Sequence, residues 1–286
     1  MTQGFAFGNL AVYVSGPERL MSCLPGGFAQ YQSDIAQFDR SVSIILKEGS
    51  PQAAPDAGNG WTAKMHDGSV SAAYNQDGRV LFTLSYGPAH NGTVVTISGQ
   101  DRGNVGVGVQ FAMLTAGAGR VLGLHGVTLL CGDEIIILSA PSGTGKTTLS
   151  RLLESYQDAI VLNGDFAMLS CPDDTVWFEP TPFCGTSGRC LNQRAPVDRV
   201  VFLEQSRDDR WQRLNGRQAL SRFMSNTFVP LWDERLVQST GLLAARCLAS
   251  LSADLFSFAP HREASEIFLT QLMCEKCSLT GNKKER

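Results

Sequence analysis

Ala140-Pro141-Ser142-Gly143-Thr144-Gly145-Lys146-Thr147-Thr148 lies between four consecutive apolar residues, Ile135-Ile136-Ile137-Leu138, and a stretch with Leu149, Leu152 and Leu153 on one helical face. Strand, glycine-rich turn and amphipathic helix in that order give the spacing of a phosphate-binding loop (P-loop), with Ala140 where the first glycine usually stands. Gly143 and Gly145 permit positive φ and close approach, which lets backbone N–H groups converge on phosphate oxygens. The helix beginning at Lys146 adds the positive end of its dipole. Residues 140–148 are therefore expected to bind ATP, with Lys146 reaching the β and γ phosphates and Thr147 offering its hydroxyl to Mg²⁺. A fortuitous glycine-rich turn would have to match all these features together by accident.

Upstream, a second apolar run over 124–130 is separated from 134–138 only by Cys131-Gly132-Asp133. So tight a join permits an antiparallel hairpin and no parallel crossover. With Gly132-Asp133 as the turn, counting back along both strands sets His125 beside Ala140, at the mouth of the loop. An imidazole there either donates to a phosphate or to charge developing during transfer, or is satisfied within the sheet. Downstream, the strand 159–162 ends at Asn163-Gly164-Asp165 and delivers Asp165 where ligands of α/β sheets gather. Asp165 suits a metal or the base for a hydroxyl nucleophile; the alternative is a simple turn. A hairpin over 166–169 and 175–178 leads to Glu179, either a further Mg²⁺ ligand or an exposed hairpin residue. Arg189, Arg194, Arg199 and Arg222 are candidate cations, solvated surface charge being the plainer reading for most.

Farther out, residues 1–105 read as a smaller β-rich domain, with strands at 7–14 and 41–46, a hairpin over 69–84 and a loop over 49–60. Residues 106–280 read as a mixed-sheet α/β domain, and 281–286 as a basic tail. The second domain opens on a short helix at 109–114. Later come a strand at 200–203, a helix capped by Asn215, a long helix from 233 or 234 to 251, a last strand at 256–258 and a final helix. Twenty-four Lys+Arg against 27 Asp+Glu give a net charge of −3, which leaves no footprint for a nucleic-acid backbone. No apolar window is long enough to span a membrane, and a cytoplasmic protein is expected. Cys274 and Cys277 have CxxC spacing, but no second pair accompanies them, so an idle pair is expected over zinc.

The run from His125-Gly126-Val127 through Gly143-Thr144-Gly145-Lys146-Thr147 to Asp165 resembles the core of HPr kinase/phosphorylase and, more closely, HPr-kinase-related proteins of uncharacterised or peptide-modifying gene clusters. That fold is shared, more distantly, with phosphoenolpyruvate carboxykinase. The resemblance implies a P-loop kinase domain of the HPr kinase type; with the roles read from the residues themselves, His125, Lys146 and Asp165 are the expected catalytic groups and Thr147, Asp165 and Glu179 the expected Mg²⁺ ligands. Gly164 departs from it, standing where the first acid of a pair belongs; Thr186 departs too, replacing a basic residue for which Arg189 is the nearest substitute. The implied activity is transfer of the γ-phosphoryl group of ATP to a hydroxyl of a peptide, protein or small molecule, with HPr itself not expected. A nucleotide-sensing pseudokinase that recruits a partner is the alternative. Neither nucleic acid nor membrane is an expected partner, and homo-oligomerisation is left open. A transport ATPase is disfavoured, because no Leu-Ser-Gly-Gly-Gln signature follows the loop.

Overall fold

The computed structural model describes residues 1–34, 38, 41–51, 59–99 and 102–281, with side chains of the final helix as far as Cys274. Most of the loop expected over 49–60, the Cys277 side chain and the tail beyond 281 fall outside the described residues. Two compact units emerge. The first comprises Met1–Leu122, Glu179–Phe183 and Phe228–Leu243; the second comprises Gly123–Phe178, Cys184–Thr227 and Ala244–Arg286.

The first unit is built on β1 (Thr2–Phe7), β2 (Leu10–Ser15), β3 (Ser41–Glu48), β4 (Gly60–His66), β5 (Ser69–Gln76), β6 (Arg79–Tyr86) and β7 (Thr93–Ile97). They form one sheet in the order β1-β2-β3-β7-β6-β5-β4, parallel at β2–β3 and β3–β7 and antiparallel elsewhere. Residues 7–14, expected as one strand, are two strands joined at Gly8, whose φ of 59° makes the turn. The helix expected at 109–114 runs from Val105 to Ala116 and belongs to this unit. Its glycine-rich start reflects packing rather than a break: a Cβ on Gly108 would lie 2.7 Å from Val95 Cγ1 in β7.

The second sheet contains β8 (Val121–Cys131), β9 (Glu134–Ser139), β10 (Ile160–Asn163), β11 (Phe166–Ser170), β12 (Trp177–Glu179), β13 (Ala195–Pro196), β14 (Arg199–Gln205), β15 (Arg210–Arg213) and β16 (Ser252–Phe258). Their order is β13-β12-β11-β8-β9-β14-β16-β15, with β10 also on β8. Strands β9, β14 and β16 are parallel, so their carboxyl ends share one edge. After α1 (Glu18–Met21) and α2 (Val105–Ala116) of the first unit, the helices α3 (Lys146–Gln157), α4 (Gly216–Ser225) and α6 (Arg262–Gly281) complete the second; α5 (Glu234–Ser250) is divided between the two units.

Leu149 and Leu153 of α3 and Phe268 and Leu272 of α6 close over Leu138, Leu203 and Phe256 in one core. Each such side chain contributes about 1.5–3 kcal/mol on burial, which fixes α3, and with it the loop before α3, against the sheet. Asn215 caps α4 through a reciprocal pair: its side chain accepts from Gln218 N–H while the Gln218 side chain accepts from Asn215 N–H. Among the described residues no helix is long and apolar enough to cross a membrane.

A candidate phosphoryl-transfer site

The β8–β9 hairpin has the register its short turn dictates, from Gly126 opposite Ser139 to Cys131 opposite Glu134. Gly132 takes φ 64° at the first turn position, as a two-residue turn beginning with glycine requires. His125 follows one residue beyond the last pair and is held by its backbone. Its N–H donates to Asn226 O at 2.8 Å, and its carbonyl accepts from Ser139 Oγ at 2.9 Å. Asp165 is tied to the same strand by Gly126 N–H donating to its carbonyl at 3.0 Å.

Three charged or titratable side chains meet here. Lys146 Nζ donates to His125 Nε2 at 2.8 Å, to Ala140 O at 2.6 Å and to Pro141 O at 3.1 Å. An ammonium has no acceptor, so Nε2 must be the bare nitrogen and Nδ1 carries the proton. That Nδ1–H faces the Asp165 carbonyl at 3.2 Å and its carboxylate Oδ1 at 3.5 Å. Burial, helped by the Lys146 charge, holds His125 below its ordinary pKa, with Asp165 opposing. Burial also lowers Lys146, against the pull of Asp165. The result is a carboxylate, a neutral imidazole and an ammonium in series.

In the glycine-rich loop, Gly143 (φ 80°) and Gly145 (φ 111°) adopt the left-handed conformations that the sequence spacing requires. A Cβ on Gly143 would meet nothing within 4 Å, whereas one on Gly145 would lie 3.1 Å from the Phe258 ring. Gln205 Nε2 donates to Gly143 O at 3.1 Å, joining the loop to the end of β14. Ser142, Gly143, Thr147 and Thr148 are exposed, while Ala140 and Lys146 are buried.

Other expected residues lie differently. Glu179 is fully buried, not an exposed hairpin residue, and accepts Asn9 N–H at 3.2 Å. Arg189 pairs with Glu154 of α3. Arg194 lies 3.8 Å over the Trp177 ring. Arg199 is buried between Glu134 and Asp254, so its reading as surface charge is corrected. Among the described residues no three His, Cys, Asp or Glu side chains form a metal cage.

The sequence reading missed the short 3₁₀ turn Gly185–Ser187. A Cβ on Gly164 would overlap Ser187 Oγ, and one on Gly185 would lie 2.7 Å from the Asp165 carboxyl carbon. The turn therefore packs on Asp165 and fills the space that a side chain at position 164 would need. Nothing short-range in the sequence links 164 with 187, although the two glycines were a signal of close approach.

No family model matches the chain, and no curated protein matches it either. Among solved structures, the chain is similar to the Hpr(Ser) kinase/phosphatase from Coxiella burnetii, with 10% identity and a TM-score of 0.32 over 55% of this chain and 98% of that chain.

Proposed function

We propose that the protein is a Mg²⁺-dependent kinase that transfers the γ-phosphoryl group of ATP to a hydroxyl of a peptide, protein or small molecule. The observation that carries this reading is the Asp165–His125–Lys146 series at the mouth of a glycine loop with an open backbone. Residues 140–148 would hold the phosphates, and Thr147 with Asp165 would hold Mg²⁺. When bound, the metal neutralises charge on the phosphates. Lys146 and His125 offer a cation and a hydrogen-bonding ring to the transferring group, at a site where positioning and charge do most of the work. In the transfer the acceptor oxygen bonds to the γ-phosphorus and the bond to the bridging oxygen breaks. ADP leaves, and the hydroxyl proton passes to the Asp165 carboxylate. Isothermal titration with Mg-ATP tests the site. Wild type is expected to bind and Lys146→Ala to lose binding; equal tight binding by both would overturn the reading.

A second reading, a nucleotide-sensing pseudokinase that recruits a partner, is favoured by one observation: Ser187 occupies the space of any side chain at position 164, leaving Asp165 alone beside it. Labelled ATP separates the two. Turnover that depends on Asp165 supports the kinase, and binding without turnover supports the sensor.

A further inference from the structure

Two clefts of the second unit meet at one side chain. The first, about 430 Å³, is lined by Pro141, Ser142, Gly143 and Thr144 of the glycine loop, by Leu203, Glu204 and Gln205 at the end of β14, and by Arg222. The second, about 490 Å³, runs along α4 over Leu214 and Leu255, with Gln212, Arg217, Gln218, Ser221 and again Arg222 around it. Gln218, Ser221 and Arg222 are spaced i, i+3, i+4, so they form one stripe of α4, while Ala219 and Phe223 are buried on the other side. Asn226, which ends α4, holds the His125 backbone through its carbonyl and donates from its side chain to Arg222 O at 2.9 Å. The groove thus passes from α4 to the loop beside which the reactive side chains lie.

The charges of the groove are unbalanced. Glu204 is its sole acid and forms an ion pair with Arg222 at 3.6 Å, so Arg217 is the surplus cation and Arg222 is only half-balanced by one partly exposed carboxylate. Arg217, exposed at the far end, makes no ion pair among the described residues. Between them, the carboxamides of Gln212 and Gln218 and the hydroxyl of Ser221 offer both donors and acceptors, above the buried leucines. Guanidinium forks select carboxylates, and amide side chains suit a peptide main chain.

We propose that this groove binds the phosphoryl acceptor, and that the acceptor is an acidic peptide segment carrying its carboxylates to Arg217 and Arg222. The proposal rests on the kinase reading for the acceptor's role, but groove residues make and break no bond, so binding can be read on its own.

The test uses the full chain with Mg²⁺ and a non-hydrolysable ATP analogue, and two fluorescein-labelled heptapeptides with serine at the centre and either glutamates or lysines around it. Anisotropy is expected to show the glutamate peptide binding at least tenfold more tightly, with the advantage shrinking as salt is added. Arg217→Glu should abolish that preference, and Arg217→Lys should keep most of it. Mg-ATP titration should be unchanged in both, because Arg217 does not line the cleft at the loop. Equal binding of the two peptides, or full glutamate-peptide affinity in Arg217→Glu, overturns the groove assignment. Failure of the ATP site would appear instead as unchanged Mg-ATP binding in Lys146→Ala.

Discussion

The two edges of the second sheet carry charge in opposite ways. At the amino ends of the parallel strands, Arg199 donates to Glu134 and Asp254 at 3.3 and 2.8 Å, and Arg213 reaches Asp254 at 3.1 Å. The Arg199 and Asp254 side chains are 3% and 0% exposed. At the carboxyl ends, Lys146, His125 and Asp165 also touch, yet the His125 and Asp165 side chains are 36% and 43% exposed. Buried charges need every partner in place merely to be tolerated, and they staple strands together. Charges left partly open keep capacity for something that arrives from outside. Polar clusters at the carboxyl edge of an α/β sheet are therefore the ones to suspect of chemistry, however similar the residue types at the other edge.

The contrast can be broken by substitution. Arg199→Met should destabilise the fold by about 3–5 kcal/mol, since it removes the buried guanidinium that pairs with both Glu134 and Asp254. Urea unfolding measures this, and a shift under 1 kcal/mol would remove the structural role of that edge. At the other edge, Lys146→Ala should weaken Mg-ATP at least a hundredfold, about 2.7 kcal/mol by titration, with a much smaller change in the unfolding midpoint. Large effects on both would mean that the two edges are not separable.

Gly164→Ala sharpens the comparison by testing how tightly the open edge is packed. Overlap with Ser187 should cost about 1–3 kcal/mol in urea unfolding, and Ser187→Gly in the same chain should restore most of it. Additive losses in the double variant would sever the two positions. The smallest effect is the pH response of His125. Its lowered pKa means that the neutral ring is favoured in the fold, and the stability it contributes is present above about pH 6.5. That contribution is lost as pH falls through the lowered value, where protonation removes the acceptor for Lys146. The acid-side fall in thermal midpoint should be shallower in His125→Asn than in wild type; equal slopes would acquit His125.

What the sequence reveals follows from distance along the chain. The β8–β9 register is readable because a two-residue turn leaves no other pairing, and the Asn215 cap because its partner is three residues away. The meeting of His125 with Lys146 follows from that register and from the glycine loop. The Arg199 network is unreadable, because its partners lie 65 and 55 positions away. So is the Ser187 turn on Gly164, and so is the passage of Glu179–Phe183 into the first unit. In the amino-terminal region, Gly8-Asn9 hides a turn inside an apolar run, and the glycines at 106 and 108 disguise the start of a helix. Local chemistry shows in local sequence; packing partners do not.

The first unit takes residues from three separate stretches, the last ending at Leu243. Its sheet strands all lie before residue 98, yet it also takes in Phe228–Leu243, more than a hundred positions farther along the chain. No single protease cut could release either unit whole. A nascent chain of this kind cannot finish one body before starting the next, so expression of isolated halves is a poor route to either.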